Sequence, residues 1–579
     1  MGNTTNKKKT STRAINAYRT QQQGRNMVKA GQIFMSVSAF CFGLSYDFMV
    51  FFFAVVLLIF LMVLCLKQGE IVLQTGKCMT ALFVFCASNF IAIFTGVETG
   101  ISVIGFLRVL VIPIWVCILT QFSLEERNDL LKGIPYSGVI MTIICTVCYL
   151  IPEAKGWFFS ADRMGGFFQY SNTFAFFLLV GIILLSNQYR DDNQIQTVKY
   201  CLMVMVLLLG ILWSGSRSVF LFAILIFVIL AVWDRKKRYL LLGIMGLGII
   251  VGLLYVGITG NTDSIGRFTE TSILASTFLG RVLYSIDAIP LLLKNPFGLG
   301  YMGYYFMQPQ VQHGVYQVRY VHNDWLQLGL DGGIIALLAF VFLMGCNIVK
   351  QRKISRNNVL VLLLFSFQML MEFHLTFYSM VICLLTCMDW SGVEKRLPIK
   401  GMSFVFFCGS VLVYFWLFLA TAFDYLGKES ISFALYPWNS EVETKVMLQC
   451  SDSESAEPYA EHILEKNEYS YAAYNVKAVA ALDKGNYMEM LQYKQKALNI
   501  TRYTLEEYED YVLMLKIAIE GYTEQGNMQY RQQCVEYLLQ VEDMLREVEE
   551  TTNPLAYKID DIPNLELPEE YQIYIQSFK

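Results

Sequence analysis

The sequence predicts an all-α, polytopic membrane protein of about 13 transmembrane helices with a helical domain after the last of them. Of its 579 residues, 55% are hydrophobic and only 16% are charged, and the mean hydropathy is +0.44. Water-soluble domains carry roughly a quarter charged residues, so most of this chain cannot face water. A spanning helix needs roughly 20 apolar residues. Runs close to this length recur through the first 425 positions.

Thirteen apolar segments are predicted to cross the membrane. Two stretches, 31–66 and 358–391, are each either a tight hairpin or one long helix. The predicted spans are 31–46, 48–66, 77–97, 100–121, 134–151, 172–188, 198–213, 217–233, 239–258, 333–350, 358–373, 375–391 and 402–423.

The distribution of basic residues predicts the orientation. With a cytoplasmic N-terminus, the inner connections hold 24 Lys and Arg residues and the outer connections hold seven. Basic residues concentrate in the cytoplasmic loops of membrane proteins. We therefore expect a multi-pass plasma-membrane protein with a basic cytoplasmic segment at 1–30, a membrane domain at 31–423 and an extracytoplasmic domain at 424–579. The last of these is acidic, with 29 Asp and Glu against 13 Lys and Arg.

The segment Ile273–Leu293 is apolar enough to suggest a further span, but Arg281 and Asp287 lie near its centre. A charge at the centre of a spanning helix costs about 2.5–3.5 kcal/mol. A crossing here would also reverse the orientation of every later segment. We therefore predict an amphipathic helix against the outer face, inside a 74-residue external loop at 259–332.

The tail has the amphipathic pattern of paired helices, near 455–466, 471–483, 487–500, 505–520 and 527–548. The spacing of Tyr474, Ala478, Gly485 and Ala497 resembles a tetratricopeptide repeat. Two interpretations stay open: a docking surface for a protein partner or a polymer, and a helical cap that packs on the membrane part. Cys450 and Cys534 would be the candidates for a disulfide in an external domain.

Signatures of soluble enzymes are absent from the sequence. It contains no P-loop, no G-x-S-x-G, no H-E-x-x-H and no Cys or His spacing typical of a metal site. Neither a metal, nor a cofactor, nor a nucleic-acid partner is expected. The chain has four histidines, His313, His322, His374 and His462, so each can be considered separately.

His322 lies between the predicted external loop and the span that follows it. A histidine at this boundary can exchange a proton near neutral pH, as the activation of a sugar hydroxyl requires. The alternative is a structural histidine that bonds to a loop carbonyl. The residues around it, from Arg319 through Asn323, leave both interpretations open.

Several cations lie near predicted membrane boundaries. Arg217 either reaches lipid headgroups or binds the phosphates of a lipid pyrophosphate. Arg281 interrupts an apolar helix, which favours a functional role. Arg108 lies within a predicted span, where it either pairs with Glu98 or Glu372, which is the favoured interpretation, or lines a lipid pocket.

Three further features complete the candidate chemistry. Arg163 begins an outer loop. Glu372 and His374 form a predicted buried polar pair. The residues 295–300 predict a turn first and a backbone contact with substrate second.

Four blocks of residues resemble the superfamily of O-antigen ligases and surface polysaccharide polymerases. The resemblance covers roughly residues 30–395. The blocks are His322-Asn323 followed by Gly333 and Ala336, Gly280-Arg281 followed by 295–300, Ser216-Arg217-Ser218, and Gly166-Phe167 leading to Ser171-Asn172 and Ala175.

The resemblance implies a C-type membrane glycosyltransferase that is inverting and independent of metal. It implies a glycan donor linked to undecaprenyl pyrophosphate and an acceptor that is a glycan, a lipid or a protein, with membrane lipids as surroundings. His322 would be the general base, and Arg217 and Arg281 would hold the pyrophosphate. Accessory candidates are Arg319, Arg163, Asn323 and His374. Ligase and polymerase activity both remain open.

Two other classes compete with this interpretation. A transporter or flippase of lipid-linked glycans predicts charges spread through many spans and symmetry between the two halves. Here the polar residues concentrate in one loop, which favours an enzyme. The third class is a non-catalytic scaffold in which the membrane part anchors the repeat domain.

Overall fold

The computed structural model describes residues 25–188, 193–233, 238–259, 276–559 and 562–579. These residues are predominantly helical, which confirms the all-α fold class. Five parts of the predictions lie outside the described residues. They are residues 1–24 of the basic segment, 189–192 and 234–237 of two inner connections, 260–275 of the external loop and 560–561 of the C-terminal domain.

Twelve helices precede the external loop in the described chain. They are α1 (25–40), α2 (Asp47–Gln68), α3 (Lys77–Thr95), α4 (Thr99–Val109), α5 (Val111–Leu119), α6 (Leu124–Leu130), α7 (Gly133–Tyr149), α8 (Pro152–Phe158), α9 (Ser171–Gln188), α10 (Gln194–Ser214), α11 (Arg217–Trp233) and α12 (Arg238–Thr259). Strands β1 (Glu70–Thr75), β2 (Phe159–Ser160) and β3 (Arg163–Met164) lie between them.

The later helices run from the external loop to the C-terminus. They are α13 (Ser276–Lys294), α14 (Gly303–Val311), α15 (Asp324–Gln351), α16 (Arg356–Gln368), α17 (Tyr378–Thr386), α18 (Gly401–Tyr425), α19 (Glu429–Leu435), α20 (Ser440–Met447), α21 (Ser453–Lys466), α22 (Tyr471–Asp483), α23 (Tyr487–Ile500), α24 (Leu505–Glu524), α25 (Met528–Thr551) and α26 (Glu569–Gln576). Strand β4 (Val393–Pro398) precedes α18.

The chain folds into two compact units. The first comprises the described residues of Met1–Leu82, Leu110–Thr271 and Val341–Phe415. The second comprises those of Phe83–Val109, Ser272–Phe340 and Trp416–Lys579. The predicted site residues are divided between them. Arg163, Arg217 and His374 belong to the first unit, and Arg281, Arg319, His322 and Asn323 belong to the second.

Within the described residues, eight helical stretches are long and apolar enough to cross a membrane. They are Asp47–Gln68, Lys77–Thr95, Thr99–Leu119, Leu124–Tyr149, Gln194–Ser214, Ser276–Lys294, Asp324–Gln351 and Gly401–Tyr425. Other predicted spans coincide with shorter helices. Helix α17 has nine residues, or about 13 Å of helix, against a hydrocarbon core of about 30 Å. The count of 13 spans therefore stays a prediction.

Helix α13 matches the predicted amphipathic helix closely, since it covers Ser276–Lys294 where 273–293 was expected. It also meets the length and composition of a membrane span. Its predicted position on the outer face therefore stays a prediction.

The stretch 31–66 forms a hairpin. A 3-10 turn at Phe42–Leu44 separates α1 from α2. The rings of Phe34 and Phe60 lie 4.7 Å apart, and Lys67 Nζ lies 3.6 Å from Met27 Sδ. Contacts between residues placed symmetrically about the turn show that the two helices are antiparallel, which resolves the alternative of one long helix.

Two connections far apart in sequence form an antiparallel sheet in the first unit. Strand β1 pairs with β4 from Glu70 opposite Pro398 to Thr75 opposite Val393. The two connections therefore lie at the same end of this unit, in agreement with the prediction that both are on one side of the membrane. Which side they face stays a prediction.

The tail consists of antiparallel helices around their own apolar core. The observed α21 to α25 agree with the five predicted helices within a few residues at each end. The core includes Met490, Tyr511, Leu515 and Leu538. Cys534 is a free thiol in this core and Cys450 is also free, so the two cysteines are not paired. Assignment as a tetratricopeptide domain stays a prediction.

Glu98 joins the connection between α3 and α4 to the start of α20, within the second unit. Its carboxylate, in a residue that is 2% exposed, accepts hydrogen bonds from the backbone N of Ser440 at 2.8 Å and from Ser440 Oγ. Tyr436 Oη donates to the carbonyl of Gly100 at 2.8 Å. Burial, partly offset by these hydrogen bonds, raises the pKa of Glu98 to about 7.

This pKa predicts a pH dependence of stability. A carboxyl whose pKa rises from 4.5 to about 7 on folding binds its proton more tightly in the folded chain. Its stabilisation is complete below pH 4.5 and is lost as the pH rises through 7. We therefore expect the thermal midpoint of the full chain in detergent to fall as the pH is raised from acidic to mildly basic. The fall should be a few degrees larger in the wild-type chain than in Glu98→Gln. The exposed Glu506→Gln should keep the wild-type slope, and an equal slope in Glu98→Gln would contradict the assignment.

Helix α15 is broken near its start, at Gly333, where φ is +86° and ψ is 171°. The backbone N of Ile334 donates instead to the carbonyl of Pro296 at 2.9 Å. A Cβ at position 333 would lie 2.7 Å from the carbonyl oxygen of Pro296, closer than side chains tolerate. Both the backbone angle and the contact therefore require glycine here.

Gly333→Ala is expected to lower the free energy of unfolding by about 1–3 kcal/mol, because the substitution combines backbone strain with a clash. Gly345→Ala on the same helix is the matched control, since a Cβ there meets open space. It should be neutral or slightly stabilising. Thermal unfolding of both variants in detergent checks the difference, and equal midpoints would overturn the explanation.

Candidate functional site

The candidate base, His322, lies in the loop between α14 and α15. Its backbone adopts a left-handed conformation with φ +55°, which is uncommon for a residue other than glycine. Backbone strain of this kind costs on the order of 1–3 kcal/mol and persists where the surroundings enforce it. The imidazole is half-buried, and its ring centroid lies 5.9 Å from that of Tyr284 on α13.

A chain of polar contacts holds this loop in place. The backbone N of Val321, the residue before His322, donates to Gln327 Oε1 at 3.1 Å. Gln327 Nε2 in turn donates to Asp331 Oδ1 at 2.8 Å. Asp331 also interacts electrostatically with Arg108. These contacts fix the loop to the first turns of α15.

Arg108 has an acidic neighbour that was not predicted from the sequence, and its predicted pairing with Glu98 or Glu372 stays a prediction. It is 4% exposed, interacts with Asp331, and its guanidinium carbon lies 5.2 Å from the ring centroid of Tyr301. The predicted partner Glu98 is bonded to Ser440. The sequence signal that was missed is Asp331, an acidic residue in an apolar helix that needs a cation.

Asn323 has a structural role in this site. Its Oδ1 accepts a hydrogen bond from the backbone N of Leu326 at 3.0 Å, and its carbonyl accepts from the backbone N of Gln327 at 2.8 Å. This is the contact of a helix N-cap. Asn323 thus fixes the start of α15 directly after His322.

The predicted turn at 295–300 packs tightly against α15. The backbone N of Leu299 donates to the carbonyl of Leu330 at 2.7 Å, and the carbonyl of Leu299 accepts from the N of Val97 at 2.8 Å. A Cβ on Gly298 would lie 2.7 Å from the carbonyl oxygen of Asp331. The turn is confirmed, and its backbone is engaged by the protein.

Arg281 and Arg319 belong to the same unit as His322. Arg281 lies on α13, one turn before Tyr284, and its carbonyl accepts a hydrogen bond from Ser285 Oγ. The Arg319 side chain is 49% exposed, its Nε contacts Met302 Sδ at 3.3 Å, and its Nη2 lies 3.9 Å from Glu441. Arg319 thus lies in the same loop as His322, and Arg281 lies on the helix whose Tyr284 ring is near His322.

A second imidazole site in this unit was missed by sequence reasoning. The Asp287 carboxylate, whose side chain is fully buried, accepts hydrogen bonds from His313 Nδ1 at 2.7 Å, from the backbone N of His313 at 2.9 Å and from Tyr316 Oη at 2.7 Å. The tyrosine rings 284 and 316 lie 4.5 Å apart, which brings this cluster next to the ring beside His322. An acidic residue in an apolar helix together with a rare histidine in the following loop was the available signal.

In the first unit, Arg163 joins two helix ends. Its Nε donates to the carbonyl of Ser214 at 2.9 Å and its Nη2 donates to Asn172 Oδ1 at 2.8 Å. Ser214 ends α10, three residues before Arg217, which is half-buried at the start of α11. The structure therefore brings Arg163 to the segment that carries Arg217.

Glu372 and His374 both bind the start of α9. Glu372 accepts from Asn172 Nδ2 at 2.6 Å and from Tyr170 Oη at 2.7 Å. His374 Nδ1 lies 2.9 Å from Thr173 Oγ1, and its ring stacks on Phe176 with centroids 4.5 Å apart. Both residues are fully buried. The predicted burial is confirmed, whereas pairing of the two side chains with each other stays a prediction. The sequence did not indicate their contacts with the start of α9.

The fold is that of a helical membrane protein, with eight stretches among the described residues that could cross a membrane. In its second unit, the loop that carries His322 also carries Arg319 and lies near the helix that carries Arg281. Residues 202–341 match the O-Antigen ligase family model. The match covers about a quarter of the chain, contains Arg217, Arg281, Arg319, His322 and Asn323, and supports the resemblance to the O-antigen ligase superfamily. No curated protein matches the chain.

Asp287→Leu is expected to lower the free energy of unfolding by at least about 2 kcal/mol, because it leaves buried donors without their acceptor. Asp287→Asn keeps one acceptor oxygen and should lose less. Asp543→Asn, whose side chain is 64% exposed, serves as the control. Thermal unfolding in detergent separates the three, and a midpoint of Asp287→Leu equal to that of the control would refute the structural role of this carboxylate.

Proposed function

We propose that the protein transfers a glycan from undecaprenyl pyrophosphate to an acceptor hydroxyl outside the cytoplasm, in the biosynthesis of a surface polysaccharide. The observation that carries the proposal is the strained, half-buried His322 at the start of α15, within the segment that matches O-antigen ligases. The acceptor is a growing glycan in a polymerase and a lipid or protein in a ligase.

His322 is proposed as the general base. Its imidazole takes the proton of the acceptor hydroxyl while the acceptor oxygen forms a bond to the anomeric carbon of the donor. The bond from that carbon to the pyrophosphate oxygen breaks, and the pyrophosphate leaves with the electron pair. Attack from the face opposite the leaving group inverts the anomeric configuration. The contacts of Val321 and Asn323 support this role because they hold His322 in place before the substrate binds.

Arg281 and Arg217 are proposed to bind the pyrophosphate. A guanidinium matches two phosphate oxygens and remains charged throughout. It stabilises the leaving group most strongly as negative charge develops on it. Arg281 belongs to the unit of His322, whereas the role of Arg217 rests on the resemblance alone.

Four accessory residues have narrower proposed roles. Arg319 lies in the loop of His322 with its side chain half-exposed, and it is proposed to bind the glycan or its phosphates. Asn323 positions His322 by capping α15. Arg163 and His374 organise the start of α9 in the first unit. The last two are therefore proposed as positioning residues.

The test is the release of undecaprenyl pyrophosphate by the purified full chain from a lipid-linked glycan and its acceptor. We expect His322→Ala to lower the rate by about 100-fold or more, the range for loss of a general base. His322→Gln tests whether a neutral side chain of similar size restores folding without restoring the rate. His462→Gln, in the tail and outside the matching segment, should leave the rate unchanged.

The outcomes separate the competing classes. Release that persists in both His322 variants removes this residue from the mechanism. A folded wild-type chain that releases nothing, with any donor and acceptor, contradicts the transferase proposal. Movement of an intact lipid-linked glycan across a vesicle membrane would then indicate a transporter.

A further inference from the structure

The first unit contains a polar cavity that the proposed transferase site does not use. It has a volume of about 290 Å³ and lies where the helical stretch Thr99–Leu119 ends and the stretch Leu124–Tyr149 begins. Strands β1 and β4 form its other wall. The lining includes Val72, Thr120, Gln121, Arg127, Glu394 and Arg396.

Hydrogen bonds to the edge of β1 fix one wall of the cavity. Gln121 Nε2 donates to the carbonyl of Val72 at 2.9 Å, and Gln121 Oε1 accepts from the backbone N of Val72 at 3.0 Å. Thr120 Oγ1 also donates to the carbonyl of Val72, at 2.9 Å. The wall is therefore formed before any ligand enters.

Arg127 is the unusual residue of this cavity. Its side chain is only 12% exposed, and among the described residues its buried Nε and Nη1 have no hydrogen-bond acceptor. Buried N–H groups in proteins almost always have an acceptor, and those of a charged group are especially costly to leave without one. The guanidinium therefore has donor capacity that the described part of the chain does not use.

The nearest carboxylate is already engaged by other groups. Asp389 Oδ1 lies 4.0 Å from Arg127 Nη1. The same carboxylate accepts from Ser391 Oγ at 2.6 Å and from the backbone N of Ser391 at 3.1 Å, and it lies 3.5 Å from Lys350 Nζ. Arg127 and Lys350 thus share one carboxylate, and Nη1 of Arg127 lies beyond hydrogen-bond distance of it.

The lining itself carries two arginines and one carboxylate. Arg396 is 60% exposed and is paired with Glu394 at 2.6 Å and with Glu70 at 2.7 Å. Among the described residues, Arg127 is thus the lining cation whose buried N–H donors have no acceptor. These donors favour a ligand that carries acceptor oxygens.

We propose that this cavity binds a phosphate group, with the guanidinium of Arg127 as its principal donor. A guanidinium can engage two oxygens of one phosphate. The volume is several times that of a water molecule, which occupies about 30 Å³ of liquid, so it accommodates a phosphate with its ester substituent. The ends of two helical stretches that could cross a membrane border the cavity, so the phosphate is either that of a lipid headgroup or that of a soluble ester.

Two matched probes distinguish these sources with the purified full chain. Native mass spectrometry compares retention of phosphatidylglycerol with that of diacylglycerol carrying the same acyl chains. Thermal unfolding in detergent with added glycerol 3-phosphate tests the soluble source. Arg127→Gln removes the positive charge and the paired N–H donors of the guanidinium. Lys132→Gln is the control, because Lys132 lies outside the lining and is 49% exposed.

We expect the wild-type chain and Lys132→Gln to bind one of the two phosphate probes, and Arg127→Gln to bind it at least about tenfold more weakly. If Arg127→Gln fails to fold, Arg127→Lys keeps a positive charge near Asp389. This variant should still bind phosphate more weakly, because lysine lacks the paired N–H donors of a guanidinium. Preference for phosphatidylglycerol over diacylglycerol assigns a lipid, and a shift with glycerol 3-phosphate assigns a soluble ester. Binding of neither phosphate probe, or equal binding by the Arg127 variants and wild type, overturns the proposal.

Discussion

A helix that breaks among apolar residues must find other partners for its backbone, and this constraint shapes the second unit. At Gly333 the helical hydrogen-bond pattern of α15 is interrupted, and the amide of Ile334 turns to Pro296. A second hydrogen bond runs from the turn to the helix, since the backbone N of Leu299 donates to the carbonyl of Leu330. Backbone groups without a partner in an apolar environment cost several kcal/mol each. The turn at 295–300 and the first half of α15 are therefore one rigid piece.

The loop with His322 benefits directly from this rigidity. Gln327 and Asp331 lie on the piece of α15 that the turn fixes, and Gln327 holds the amide of Val321. Asp331 in turn interacts electrostatically with the buried Arg108, which ties this piece of α15 to α4. The left-handed backbone of His322 is thus enforced by contacts on both sides. A site that keeps its imidazole in one position has less reorganisation to complete when it reacts.

Much of this architecture follows from local sequence, because apolar runs of helical length have few alternatives in a membrane protein. Helix α11 covers 217–233 and helix α23 covers 487–500, as the sequence predicts. The break at Gly333 and the sheet of β1 with β4 do not follow from periodicity. The strand Val393–Pro398 is exposed and rich in charge, and its partner is far away in sequence. Only the fold brings such segments together.

The candidate site could likewise be predicted from the sequence only in part. His322, Arg217 and Arg281 could be selected because a rare histidine and isolated arginines stand out in an apolar sequence. The contacts that fix their surroundings could not be predicted, since Gln327 is an ordinary residue until the fold places it beside the amide of Val321. The Asp287 carboxylate and the imidazole of His313 are separated by an entire helix in sequence, yet they lie 2.7 Å apart. Long-range pairs of this kind depend on tertiary structure.

The tail contacts the cluster around Asp287 through the segment that follows α25. Within the second unit, the backbone N of Asn553 donates to the carbonyl of His313 at 2.9 Å, and Ala556 lies in an apolar cluster with Leu283 and Tyr316. These contacts favour the interpretation of the tail as a helical cap, because they reach the cluster around Asp287. The interpretation as a docking surface is compatible with them. Tyr316 in turn contacts the ring of Tyr284, which is near His322. The contacts of the segment after α25 leave the faces of the earlier tail helices out of this cluster, so packing as a cap does not exclude a role in docking.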